Sequence, residues 1–226
     1  MTEFFRFPHT PHIAWLGAGQ PRDDKVLSAP EVAALLSGEV IVEEKVDGAN
    51  LGLSLGEHDR LQAQNRGQYL IPPYSGQFAR LPGWIAQHGE ALARVIRPGL
   101  ILFGEWCAAR HSLDYDHLPD WFLLFDVYDR DIGKFWSAAR RNAMAEELGF
   151  NHVPRLAEGH FTLPRLKELL GSVPSRYRQG PPEGIVIRRD DADHCLSRAK
   201  LVRADFTQAI EGHWRSRAIT WNRVGG

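Results

Sequence analysis

No segment of this 226-residue chain approaches the roughly 18 consecutive apolar residues that cross a bilayer, and residues 1–17 carry no apolar stretch followed by a small-residue cleavage site. A soluble, unprocessed, cytoplasmic protein is therefore expected, with no membrane partner. Cysteine is scarce. Cys107 and Cys195 are too few for a disulfide framework or a thiolate zinc site and are read as free thiols. Charge of one sign is lacking too: 27 Lys and Arg stand against 28 Asp and Glu, a formal net charge of -1. Bulk attraction to nucleic acid is thereby excluded, and any such contact has to come from a local basic patch or a site for a phosphate end. Internal repeats, low-complexity tracts and Gly/Ser linkers are also absent. Only short breaks occur, at Pro72-Pro73, Pro98-Gly99 and Pro181-Pro182. With 43% hydrophobic residues, the chain supports one well-filled core, and a single domain over 1–226 is expected.

What is present alternates between helical and extended patterns. Ser28 followed by Pro30 and Glu31, with Gly38 beyond, marks a capped helix. Trp84, Ala91, Leu92 and Val95 share one face of a helix over about 84–96. Ser137 to Gly149 and Thr162 to Gly171 repeat the cap-to-glycine pattern, and Phe206, Ile210 and Trp214 suggest a last helix. Strands are expected at Val40 to Val46, Leu51 to Leu55, Leu100 to Trp106, Trp121 to Tyr128, Gly184 to Arg188 and Lys200 to Val202. Several follow one another without an intervening helix, which favours an α+β fold with largely antiparallel sheets over a doubly wound parallel one. Trp84, Trp121, Trp136 and Trp214 fall where large apolar faces are needed and are assigned to packing.

The segment Glu43-Glu44-Lys45-Val46-Asp47-Gly48-Ala49-Asn50 ends an apolar strand and then turns at a glycine. In an extended strand Lys45 and Asp47 project to the same side. A lysine there can serve as a nucleophile if its surroundings leave some neutral amine; by itself, Lys-x-Asp-Gly is short enough to arise by chance and reads first as a solvated lysine before a turn. Four further segments stand in order behind it. They are Phe103-Gly104-Glu105-Trp106, Phe122 to Asp126, Glu183-Gly184-Ile185-Val186 and Lys200-Leu201-Val202. This ordered set resembles the motifs of covalent nucleotidyltransferases: nucleophile, ribose binding, aromatic strand on the base, metal-associated glutamate and final lysine. Within that superfamily, Asn50, Phe125-Asp126 and the opening Phe7-Pro8-His9-Thr10-Pro11-His12 are most similar to ATP-dependent RNA ligases.

The resemblance implies a nucleotidyltransferase adenylation domain, ATP-grasp-like in its ligase form, with ATP and Mg²⁺ or Mn²⁺ as cofactors. Lys45 and Lys200 are the implied catalytic residues, and Glu44, Asp47, Asn50, Arg66, Glu105, Phe125 and Arg198 the implied nucleotide-binding ones. Glu183 is the implied metal ligand. Each has a physical task. Arg66 can set a planar guanidinium against phosphate or ribose, or be a solvated loop arginine. Glu105 can accept from a ribose hydroxyl. Phe125 can stack on adenine or be plain core. Glu183 offers the hard oxygen that Mg²⁺ prefers, and Lys200 can neutralise an α-phosphate. Val202 stands where many ligases have a second lysine, which leaves Arg198, on the Lys200 face of a strand, as the stand-in. His111, Asp114, Asp116 and His117 cluster without a cysteine or a helical His pair, so no dedicated zinc site is expected.

The reaction implied is the joining of RNA 5′-phosphate and 3′-hydroxyl ends through lysyl-AMP and RNA-adenylate intermediates, in RNA repair. Only 24 residues follow Val202, so no sizeable C-terminal domain is expected, and an end-healing kinase and phosphatase is a conceivable partner. A DNA ligase, an RNA-capping guanylyltransferase and a non-catalytic nucleotide- or RNA-binding module are the alternatives.

Overall fold

A computed structural model describes residues 3–19, 21, 25–209 and 219–225. In chain order the elements are α1 (Ala29–Leu35), β1 (Val40–Lys45), β2 (Ala49–Leu55), β3 (Leu61–Gln64), α2 (Leu81–Val95), β4 (Leu100–Trp106), β5 (Phe122–Asp129), β6 (Lys134–Phe135), α3 (Ala138–Leu148), β7 (Arg155–Gly159), α4 (Leu163–Ser172), β8 (Gly184–Asp190), β9 (Cys195–Val202) and α5 (Ala204–Ala209). The strands form two antiparallel sheets, ordered β7-β1-β8-β9 and β3-β2-β4-β5-β6. This is the α+β, antiparallel arrangement expected. None of the described helices is long and apolar enough to cross a membrane.

The helix signals act as anticipated. Ser28 N–H and Oγ both donate to Glu31 at the start of α1, and Ser137 Oγ accepts from Arg140 N at the start of α3. α3 stops where Gly149 takes φ 72°, a conformation that favours glycine. α2 begins at Leu81, before the expected Trp84, and β9 begins at Cys195 rather than Lys200. The strands β3, β6 and β7 were not expected; they have two to five residues and lie on sheet edges or irregular hairpins, below the length at which period-2 alternation reads clearly. Of the expected last helix, Phe206 belongs to α5, while Ile210 and Trp214 lie outside the described residues.

Strand alternation gives each sheet one apolar face packed under helices, and on the second sheet Ile101 and Phe103 form a smaller cluster with Phe7 on the other face. Val40, Val42, Ile185, Ile187, Ala199 and Leu201 pack with Leu35, Leu166 and Leu170 from α1 and α4. On the second sheet, Leu51, Leu53, Leu102, Trp106, Phe122 and Leu124 pack with Leu81, Trp84 and Leu92 of α2 and Ala145 of α3. The opposite faces carry charge. Arg141 of α3, fully buried, ion-pairs with Glu43 of β1 and donates to the Phe125 carbonyl. Arg188 of β8 donates to Asp126 of β5 at 2.7 Å and lies 4.0 Å from Glu43. These buried pairs tie the two sheets together.

Removing one member of a buried pair leaves the other charge uncompensated, which costs about 3–5 kcal/mol. Arg141→Ala is expected to destabilise the fold by about that much in urea unfolding, and adding Glu43→Gln to it should recover part of the loss, since the stranded charge is then gone.

Candidate active site

β1 ends at Lys45 and β2 begins at Ala49, so Val46, Asp47 and Gly48 carry the chain from one sheet to the other. The crossing needs glycine at 48, because a Cβ there would lie 2.7 Å from the Trp106 carbonyl oxygen and 3.0 Å from Glu105 Cγ. Lys45 pairs with Gly184 across β1 and β8, which brings the preceding Glu183 alongside. Lys45 Nζ donates to Glu183 Oε2 at 2.7 Å. From the second sheet, Glu105 stands opposite Asn50, and its Oε1 accepts from Gly48 N at 3.0 Å.

A cavity of about 360 Å³ opens between the sheets, a volume suited to a small-molecule ligand. Lys45, Asn50, Arg66, Glu105, Phe125 and Lys200 line it, and Arg198 stands beside Lys200 on the same face of β9. Asn50 Oδ1 and Arg66 Nε are buried without a protein hydrogen-bond partner. A buried polar atom left this way costs roughly 1–3 kcal/mol, a cost that a ligand hydroxyl or phosphate would offset.

The electrostatics centre on Lys45. Burial alone would lower its pKa, but the carboxylates of Glu183, Glu105 and Asp47 outweigh burial and hold it above the ordinary value. Glu183 and Glu105 are each pushed up to about 7, first by burial and then by repulsion from neighbouring carboxylates, against the pull of Lys45. The site therefore holds more carboxylate than its own lysine neutralises. Among the described residues no three or more His, Cys, Asp or Glu side chains group as a metal cage. Magnesium-type sites use one or two carboxylates, completed by water and phosphate oxygens, and Glu183 with Glu105 fits that donor set.

Phe125 reaches the cavity because of an irregularity. Phe103 pairs with Asp126 and Gly104 with Leu124, so Phe125 is an extra residue in β5. The bulge reverses the alternation: Phe122, Leu124 and Val127 face the apolar core, while Phe125 and Asp126 both face the cavity. Phe125 is met edge-on by Phe7, 5.2 Å between ring centres, from the N-terminal arm.

Other expected residues are held by protein partners. The expectation that Lys45 and Asp47 project together from a strand is corrected, because β1 stops at Lys45 and Asp47 lies in the turn. Its carboxylate accepts from Ser112 N at 2.8 Å and Leu113 N at 2.7 Å, and its own N–H donates to Tyr115 OH at 2.8 Å. Glu44 turns to the face of β1 opposite Lys45, where it accepts from Ser175 Oγ at 2.5 Å and Arg176 N at 2.9 Å. Arg198 donates to Asp126 at 2.7 Å, its guanidinium 4.1 Å from the ring centre of Phe135 and 4.8 Å from that of Phe7. Arg203, next to Val202, pairs with Asp205. In the cluster around His111, that ring meets Gln77 Oε1 at 2.7 Å, and His117 pairs with its neighbour Asp116.

Sequence reasoning missed Glu43, Asp126, Arg141 and Arg188 as a buried array under the cavity. The one available signal was charge at strand positions that alternate with core residues, as in Ile185-Val186-Ile187-Arg188.

The architecture is shared with solved RNA ligases. A Naegleria gruberi RNA ligase with pyrophosphate superposes with a TM-score of 0.61 at 20% identity, over 83% of this chain and 55% of that one. A mutant of the Naegleria enzyme with ATP and Mn gives 0.59 at 19% identity, over 79% of this chain and 54% of that one. An archaeal ATP-dependent RNA ligase gives 0.60 at 17% identity, over 88% and 48%. This chain thus spans about half the length of those ligases. No curated protein matches in sequence. Residues 38–202 match the RNA ligase family model, and the chain belongs to the RNA ligase family.

Two outcomes follow from the charges. Glu183→Gln removes the nearest group holding Lys45 protonated, so the pH at which an amine-reactive probe labels Lys45 should fall; peptide mapping of labelling against pH reads this. For Glu105, neutral form and stability go together below its ordinary pKa near 4.5, and that stability is lost as pH rises through about 7. Glu105→Gln should therefore be more stable than wild type at pH 8, by up to about 3 kcal/mol, with the difference vanishing below pH about 4.5 in thermal or urea unfolding.

Proposed function

We propose that this chain is an ATP-dependent RNA ligase that carries AMP on Lys45. The observation that carries the reading is the convergence, around one cavity, of the Lys45 amine, the Glu183 carboxylate against it and Lys200, with the buried Asn50 Oδ1 and Arg66 Nε lacking a protein partner. In the first step the neutral Lys45 amine attacks the α-phosphorus of ATP. A P–N bond forms, the bond to the bridging oxygen breaks, and pyrophosphate leaves. Lys45 must first give up a proton. With Glu183 withdrawn from it, burial is freer to act and lowers the pKa of the amine. Lys200 places positive charge where negative charge grows on the phosphate oxygens, and Arg66 offers a planar fork to phosphate or ribose. Asn50 and Glu105 accept from hydroxyls, and Phe125 gives the base an apolar face. Glu183, with Glu105, would hold Mg²⁺ or Mn²⁺, which supplies charge neutralisation at the phosphates when bound. AMP then passes to an RNA 5′-phosphate, and a 3′-hydroxyl displaces it to form the phosphodiester. Broken RNA whose ends carry these groups is the substrate class.

Incubation with ATP and a divalent cation should add one AMP to the intact mass, mapped to Lys45 and absent in Lys45→Ala. Matched nicked RNA and DNA duplexes then test the polynucleotide: sealing of RNA supports the reading, and sealing of DNA alone overturns it. Labelling by GTP in place of ATP overturns it as well.

A further inference from the structure

The loop joining β4 to β5 and the chain segment 219–225 are bound to each other and, through Tyr115, to the turn that carries the nucleophile. Asn222, only 4% exposed, makes three side-chain bonds to that loop. Its Oδ1 accepts from Tyr115 N at 2.9 Å, and its Nδ2 donates to the carbonyls of Cys107 at 2.8 Å and Ala109 at 3.4 Å. Backbone bonds flank it on both sides, Asn222 N to Ala108 O at 3.0 Å and Arg223 N to Tyr115 O at 3.0 Å. The neighbouring Trp221 ring carries the Arg80 guanidinium 4.3 Å from its centre, which pins the segment from the α2 side. Tyr115, 2% exposed, then accepts from Asp47 N at 2.8 Å through its hydroxyl. Asp47 is two residues from Lys45, and its carboxylate takes two further amides of the same loop, Ser112 and Leu113.

We infer that Asn222 and Tyr115 are positioning residues for lysine adenylylation: together they fix the turn 46–48 and hence the direction in which Lys45 presents its amine. The inference rests on the adenylylation reading. Neither side chain lines the nucleotide cavity, so their effect falls on the chemical step and spares nucleotide binding. Nucleophiles are sensitive to this, since a displacement of about 1 Å can cost on the order of a hundredfold in rate. The pair acts in series. Asn222 holds the Tyr115 backbone and Tyr115 holds Asp47, so loss of either breaks the same connection, and the second loss adds little.

The test uses the whole chain with ATP and a divalent cation, and follows AMP–lysine formation in single turnover at varied ATP. Asn222→Ala and Tyr115→Phe should each slow the maximal rate by about tenfold or more with half-saturating ATP within about twofold, and the double variant should be no slower than the worse single one. Tyr115→Phe removes one hydroxyl from a ring that stays packed, which keeps the test informative if Asn222→Ala folds poorly. Val224→Ala, on the exposed side of the same segment, should leave the rate unchanged. Wild-type maximal rates in folded Asn222→Ala and Tyr115→Phe, or effects that multiply fully in the double variant, would overturn the inference. A wild-type protein that forms no AMP–lysine fails the ligase reading itself, a separate result.

Discussion

Lys45 is held where burial acts against its charge and three carboxylates act for it, and much of the surrounding structure maintains that opposition. The lysine ends a strand of one sheet, its ion-pair partner Glu183 precedes the neighbouring strand, and Glu105 comes from the other sheet. No local stretch of chain could assemble this arrangement, because Glu105 and Glu183 lie 60 and 138 positions from Lys45. The short crossing at 46–48 solves the problem. It places the end of β1 against the start of β2, and Gly48 allows the backbone to pass under Trp106.

A second layer of charge supports the first without entering the cavity as a reactant. Glu43 and Asp126 meet Arg141, Arg188 and Arg198 at or near full burial, and the Phe125 carbonyl accepts from two of these guanidinium groups. Charge is an expensive way to join two sheets, since desolvation offsets much of the attraction. Its advantage is directional: planar guanidinium groups fix orientation as apolar contacts do not. Arg198 shows the consequence, because its pairing with Asp126 and its place between two aromatic rings commit much of its donor capacity.

Much of this was legible in the sequence. The strands bearing Lys45, Glu105, Phe125 and Lys200 announce themselves by alternation, and the helices of the first and third positions by Ser28 with Glu31 and Ser137 with Gly149. What was not legible depends on long-range partners or on departures from regular geometry. Asp47 was expected beside Lys45 because strand parity was extended two residues past the point where the strand ends. Glu44 gives no local sign that Ser175 and Arg176, 131 and 132 positions away, will take its carboxylate. The role of Asn222 is hidden for the same reason, since an asparagine near Trp221 carries no pattern that points to Tyr115, 107 positions earlier.

The bulge in β5 bears on how this strand can vary. A regular strand offers alternate residues to one face, so an aromatic platform and a carboxylate adjacent in sequence would normally face opposite ways. Phe125 and Asp126 share a face only because one residue is left out of the pairing with β4. Phase, rather than composition, is what the extra residue contributes. Shortening β5 by one residue before Phe125 would restore an unbroken ladder and turn either Phe125 or Asp126 away from the cavity, whereas exchanging one aromatic ring for another would leave the phase intact. Substitution and deletion are thus unequal hazards here, and length is the property of this strand with the least freedom.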